Sequence, residues 1–294
     1  MKPKHLIGGD GLRVRHNGQY AKLKLEFLDR YLPAALNATQ KKPRRVYIDL
    51  FAGPGVNSDG QVEFLGGALR ALAATGPGSG TSFSDAVLVN IDETDDEALQ
   101  ARVRTACAAG QSRVPLDRIR VLRGDANELV PGILSHFDAW DYLLVFADIE
   151  APKQLPFDTL RRLRAKHSSV DVYILFPLEM ALKRLMAYNR RRRDEWGPVL
   201  DSFFGCEGWR EIADVLRANP DRRDELGRRL TSLYCSQLKT LWDDAEAVAD
   251  IHLRKRQRLY QMIFAASHDA AARIKGHIKR ALAQEGMRGQ GELF

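Results

Sequence analysis

The stretch that decides the fold is Val46-Tyr47-Ile48-Asp49-Leu50-Phe51-Ala52-Gly53-Pro54-Gly55. A continuous apolar run ends in an acid and is followed at once by a turn with two glycines. An unbroken apolar run of strand length belongs to a strand buried on both faces, as in a parallel sheet. Glycine lets the following turn be tight and lets a ligand approach the main chain with no Cβ in the way. The segment is therefore read as a core strand delivering Asp49, Phe51, Ala52, Gly53 and Gly55 to a ligand. The alternative reading is a strand that merely ends in a Gly-Pro turn.

Working outward, five such runs occur, at 46–51, 86–91, 119–122, 142–147 and 170–176. Helical patterns lie between them at 67–74, 95–109, 128–137 and 156–166. Apolar strands alternating with helices predict a doubly wound Rossmann-like α/β fold with a mainly parallel sheet, because crossovers are right-handed. Upstream, Leu25, Leu28, Leu32 and Leu36 recur at helical spacing, predicting a helix over 20–36 that Pro33 either kinks or ends early. Residues 1–18 are polar and Gly-rich and are expected to be a loosely ordered leader. Beyond the fifth strand the pattern turns helical, and sheet character returns at 249–253 and 259–266, close enough for an antiparallel hairpin. A last helix is expected over 269–283. The expected division is a core with its N-terminal helix over 1–180, a helical insertion over 181–248, and a C-terminal hairpin and helix over 249–294 that complete the core.

The strand ends carry the chemistry. The turn after Asp49 lacks G-x-x-x-x-G-K-[ST] and G-x-G-x-x-G, which disfavours a nucleoside triphosphate or a dinucleotide. An acid there repels phosphate but suits the cationic methionine end of S-adenosylmethionine, the expected cofactor. The second run ends Val89-Asn90-Ile91-Asp92-Glu93. Asp92 is placed to hold ribose hydroxyls, whereas a helix-capping role fits Glu93 or Thr94 better. The third ends Gly124-Asp125-Ala126-Asn127, where Asp125 and Ala126 would face the adenine and Asp125 equally suits a helix cap. The fourth ends Ala147-Asp148-Ile149-Glu150-Ala151-Pro152. Asp148 and Glu150 are the candidates for substrate contact or proton transfer.

These residues together resemble the class I S-adenosylmethionine-dependent methyltransferases and, more narrowly, the three-Cys-motif partner (TcmP) family. The resemblance rests on three blocks. They are Ala21-Lys22-Leu23-Lys24-Leu25-Glu26-Phe27-Leu28-Asp29-Arg30-Tyr31-Leu32, the strand and turn Tyr47–Gly55, and Leu259-Tyr260-Gln261-Met262-Ile263-Phe264-Ala265-Ala266-Ser267-His268. The resemblance implies a methyltransferase-like fold, a functional partner protein of the three-Cys-motif type, and a role for Lys24 and Tyr31 in closing the leader helix over the cofactor. The family's cysteines lie in the neighbouring protein, so those of this chain carry no message. One departure concerns the fourth strand. The family follows it with Asp-Pro and a Gly, whereas this chain keeps Asp148 and continues Ile149-Glu150-Ala151-Pro152. No Asn-Pro-Pro-Tyr segment is present.

Composition narrows the partners. The 294 residues carry a formal net charge of +7, which favours anionic partners, nucleic acid first among them. Arg190-Arg191-Arg192-Arg193, then Arg161, Arg162 and Arg164, then Arg254-Lys255-Arg256 with Arg258, are either a footprint for phosphates or a solvated face. Trp196, Trp209 and Trp242 read as core anchors. No apolar run approaches the roughly 18 residues of a membrane span. Three scattered cysteines, Cys107, Cys206 and Cys235, argue against a disulfide framework or a zinc site and fit a reducing cytoplasm. No metal-ligand spacing occurs.

Overall fold

The computed structural model describes residues 5–17, 20–178, 182, 190–218, 223–254, 257–267 and 276. They form two compact units. One holds the chain up to Ala126 together with Trp140–Phe146, the other Asn127–Ala139 and Ala147–Ser267.

In chain order the elements are β1 (His5–Ile7), β2 (Arg13–His16), α1 (Tyr20–Ala38), β3 (Arg45–Asp49), β4 (Val56–Ser58), β5 (Glu63–Leu65), α2 (Gly67–Ala73), β6 (Asp85–Asn90), α3 (Glu93–Ala108) and β7 (Ile119–Arg123). There follow α4 (Ala126–Leu134), β8 (Tyr142–Ala147), α5 (Phe157–Ala165), β9 (Ser169–Phe176), α6 (Arg190–Phe204), α7 (Trp209–Ala218), α8 (Arg223–Leu238), β10 (Asp244–Arg254) and β11 (Gln257–Ala266).

The first unit is built on β3. It is parallel to β6 on one side, with Asp49 opposite Leu88, and parallel to β8 on the other, with Asp49 opposite Phe146. Strand β7 pairs parallel with the far side of β6, placing Asn90 opposite Arg123. The order β8-β3-β6-β7 means that the chain winds outward from β3 and then returns to its other side. A doubly wound sheet reverses direction at such a point, and ligands bind outside the carboxyl ends of its strands there. Every residue of β6 and β8 is buried, which explains why both are dominated by apolar side chains. The Rossmann-like α/β architecture expected from the sequence is the one observed.

Helix α1 runs through Pro33 to Ala38 instead of ending there. Its expected stripe is buried, with Leu25, Leu28, Leu32 and Leu36 at most 1% exposed.

The leader is a correction. Residues 5–16 form the β1–β2 hairpin rather than a loosely ordered segment, and β2 continues parallel to β4, which pairs with β5. The resulting four-stranded sheet, β1-β2-β4-β5, takes in residues 56–58 and 63–65 after the glycine turn. Its strands are three or four residues long, too short to show a period, and Val14 supplies the buried apolar side chain of β2.

In the second unit β11 lies antiparallel to both β10 and β9, with Ile263 opposite Ala247 and Ile174. The C-terminal hairpin is thus present, and β10 starts five residues earlier than its apolar run because it begins at Asp244. The helices between β9 and β10 pack through aromatic rings. Phe203 stacks on Tyr234 at 4.8 Å and on Phe176 of β9 at 5.8 Å. Trp209 and Trp242 are buried, and Trp242 donates to Val170 O at 2.8 Å, so both are core anchors. Trp196 is half-buried.

Candidate functional site

Asp49 is the last residue of β3 and is 2% exposed. A buried carboxylate must be hydrogen-bonded or it loses its charge. Here Oδ2 accepts from the Tyr47 hydroxyl at 3.2 Å and Oδ1 from the Phe51 N–H at 3.1 Å. The chain then keeps contact with both neighbouring strands, since Leu50 N donates to Phe146 O and Ala52 N to Val89 O, each at 3.0 Å.

The glycine turn is fastened at three points. Gly53 N–H donates to Asn90 Oδ1 at 2.7 Å, and Asn90 Nδ2 donates back to Gly53 O at 3.0 Å. Arg102 Nη1 donates to Pro54 O at 2.7 Å, and Gly66 N to Gly55 O at 2.8 Å. Gly53 and Gly55 have φ of +63° and +83°, the left-handed region where a Cβ is costly. The two glycines of the motif are therefore required by the backbone itself.

Asn90 and Arg102 escaped the sequence reading. Asn90 is a polar side chain inside a continuously buried strand, and that contrast was the available signal. Arg102 shows no such signal, because its partners Asp10, Arg13 O and Pro54 O lie 48 to 92 residues away.

Asp92 does cap a helix, contrary to the expectation that Glu93 or Thr94 would. Its carboxylate accepts from Asp95 N at 3.0 Å and α3 starts at Glu93, two residues earlier than its apolar pattern suggests. Arg13 Nη1 pairs with the same Oδ1 at 2.8 Å, and Arg13 Nε lies 3.1 Å from Asp95. The side chain of Asp92 is still 48% exposed, so a cap and a ligand contact are compatible.

Lys24 is buried on α1, Asp125 is exposed between β7 and α4, and Ala126 is buried at the first position of α4. Asp49, Asn90, Asp92 and Asp125 thus stand at or just beyond the carboxyl ends of three adjacent parallel strands of one unit. Tyr31 is fully buried on α1.

Asp148 and Glu150 belong to the second unit. Asp148 is half-buried and Glu150 exposed. Gln154 Oε1 accepts from Glu150 N at 2.7 Å and Ala151 N at 2.8 Å, so this loop is shaped by a side-chain amide. Asn127 joins it by donating to Gln154 O at 3.0 Å.

Of the basic residues, Arg162 pairs with Asp158 one turn away, Arg161 lies over the Phe157 ring at 5.0 Å, and Arg164 donates to Leu241 O and His167 O. The side chains of Arg190–Arg193, Arg254–Arg256 and Arg258 lie outside the described residues, as do His268 and the helix expected over 269–283. All three cysteines are free thiols. Among the described residues no group of three metal-ligating side chains occurs, and no helix is long and apolar enough to cross a membrane.

No family model and no curated protein matches the chain. Solved structures similar to it include a SAM-dependent methyltransferase from Agrobacterium tumefaciens, 12% identical over 91% of this chain and 71% of that one, with a TM-score of 0.39. A spermidine synthase from Thermotoga maritima is 12% identical over 88% of this chain and 64% of that one, at a TM-score of 0.40. A putative methyltransferase from Escherichia coli is 17% identical over 58% of this chain and 81% of that one, at a TM-score of 0.34.

Proposed function

We propose that the chain binds S-adenosylmethionine at the carboxyl end of β3 and is a methyltransferase acting on a nucleic acid or a nucleic-acid-derived substrate. The observation that carries this reading is the buried Asp49 carboxylate at a glycine turn whose main chain is fixed in the left-handed region. A carboxylate there attracts a ligand's ammonium group and repels phosphate. Asp92 would hold the ribose hydroxyls, and Asp125 with Ala126 would flank the base. Lys24 and the helix that carries it would close the site, a role that the resemblance to the three-Cys-motif partner family supports.

When bound, S-adenosylmethionine supplies an electrophilic methyl group on its sulfonium. Transfer of that group needs mainly alignment, which the fastened turn provides by holding Asp49 and the peptides of 51–55 in place. An acceptor that carries a proton also needs a base. Asp148 and Glu150, which follow the fourth parallel strand, are the proposed bases. The net charge of +7 supports an anionic acceptor.

Calorimetric titration of the full chain with S-adenosylmethionine tests the reading, with NAD and ATP as controls. Selective micromolar binding that Asp49→Asn removes supports it. No binding by the folded wild-type protein overturns it.

The loop after Asp148 favours a second reading, a cofactor-binding partner subunit without its own turnover. Its Pro and Gly are replaced by a segment bonded to Gln154. Binding of S-adenosylmethionine with no methyl transfer to RNA or DNA, and a stable complex with a three-Cys-motif protein, would select that alternative.

A further inference from the structure

Strand β2 carries a guanidinium to the glycine turn. The Cζ of Arg15 lies 3.4 Å from where a Cβ on Gly53 would sit, with Nη2 at 3.5 Å and Nε at 3.6 Å. The guanidinium therefore rests against the glycine turn. The side chain of Arg15 is 25% exposed. Its ionic contact is loose, with Asp95 Oδ2 at 3.7 Å, and Asp95 is approached more closely by Arg13 at 3.1 Å. Among the described residues Arg15 therefore has no acceptor at hydrogen-bond distance for any of its guanidinium donors. A planar fork of donors, half-hidden from water and paired only at 3.7 Å, is matched to a carboxylate.

The same turn begins with a buried carboxylate, that of Asp49. One short segment, 49–53, thus has a buried carboxylate at its start and a loosely paired guanidinium against its glycine. That pair of opposite charges suits a zwitterion bearing both an ammonium and a carboxylate.

The geometry points to Arg15 as the specificity residue that reads the α-carboxylate at the amino-acid end of the ligand. This assignment rests on the cofactor reading above and sharpens it. The protein distinguishes S-adenosylmethionine from its decarboxylated form, which keeps the ammonium and the sulfonium but offers nothing to Arg15. The buried Arg102 makes the arrangement possible. It donates to Asp10, Arg13 O and Pro54 O, and so pins the strand that bears Arg15 to the turn it serves.

The test compares affinities for S-adenosylmethionine, decarboxylated S-adenosylmethionine and 5′-methylthioadenosine in the full chain and in its Arg15→Gln and Arg15→Lys variants. In the wild type the carboxylate should raise affinity about tenfold or more over the decarboxylated form, the worth of a charge-assisted contact. Arg15→Gln should erase that preference by weakening S-adenosylmethionine alone, and Arg15→Lys should retain part of it. A wild-type preference that survives in Arg15→Gln overturns the assignment. So does an equal loss for all three ligands, which would mean that Arg15 only shapes the turn. Failure of the folded wild type to bind any of the three overturns the cofactor reading itself, a result distinct from either.

Discussion

Asn90 grips Gly53 by both of its main-chain polar groups, accepting from its N–H at 2.7 Å and donating to its C=O at 3.0 Å. One carboxamide at the end of β6 thereby does for the turn what a neighbouring strand would do for a strand residue. Asn90→Ala leaves a buried N–H and a buried C=O without partners. The expected cost is about 1–3 kcal/mol per orphaned group, seen as a lower midpoint in chemical denaturation. Affinity for S-adenosylmethionine should fall with it. Asn90→Asp keeps the acceptor but sets a carboxylate oxygen against Gly53 O, and it should be no better tolerated. Wild-type stability in Asn90→Ala would refute this account of the turn.

The two glycines of the turn differ in a measurable way. Both have positive φ, so an alanine at either costs roughly 1–2 kcal/mol of backbone strain. At Gly53 the new methyl meets Arg15 at 3.4 Å, an ordinary contact with a flexible side chain. At Gly55 it meets Leu99 Cδ1 at 2.9 Å and Leu69 at 3.4 Å, both in the core between α2 and α3. Gly55→Ala should therefore destabilise the protein more than Gly53→Ala, because overpacking adds to strain. Equal losses in thermal unfolding would show that the core yields without cost.

How much of this was readable beforehand follows from range in sequence. The five core strands and their helices announce themselves because each is a local run, as 142–147 is. Asp49 and the glycines are legible because strand, acid and turn are consecutive. The β1–β2 hairpin was not legible. Its strands are held by Arg102, which bonds residues 89 and 92 positions away, and by pairing with β4. Apolar spacing alone hides the cap at Asp92, because the first turn of α3, Glu93-Thr94-Asp95-Asp96, is polar and carries no such spacing. The contact of Arg15 with Gly53 is not legible either, because it exists only once that hairpin has formed.

The hairpin's attachment should be pH-sensitive. The Arg102 guanidinium bonded to Asp10 holds that carboxyl below its ordinary value. A carboxyl whose folded pKa is depressed binds its proton more readily when the contact is open. Its contribution is therefore full above the ordinary aspartate pKa of about 3.9 and is lost as pH falls through the lower folded value. Amide exchange at Val14 and Arg15, referenced to intrinsic rates, should accelerate on acidification below about pH 4. Asp10→Asn should show the faster exchange already at neutral pH and lose the acid dependence. An unchanged pH profile in that variant would mean that another group secures the hairpin.

The aromatic cluster of the second unit offers a test of opposite sign. Tyr234 is fully buried among Phe157, Phe176, Phe203 and Phe204. Its hydroxyl has no hydrogen-bond partner among the described residues, and burial pushes its pKa far above the usual phenol range. The ring thus contributes packing while the hydroxyl contributes only desolvation. A buried polar group left unpaired costs about 1–3 kcal/mol, whereas deleting one oxygen from a filled core forfeits some dispersion. The first effect is the larger, so Tyr234→Phe should be neutral or stabilising, and Tyr234→Ala should be destabilising by about 3–5 kcal/mol as other large aromatic truncations are. A clear loss of stability in Tyr234→Phe would show that the hydroxyl is satisfied in solution, and the packing account of this cluster would need a polar partner added to it.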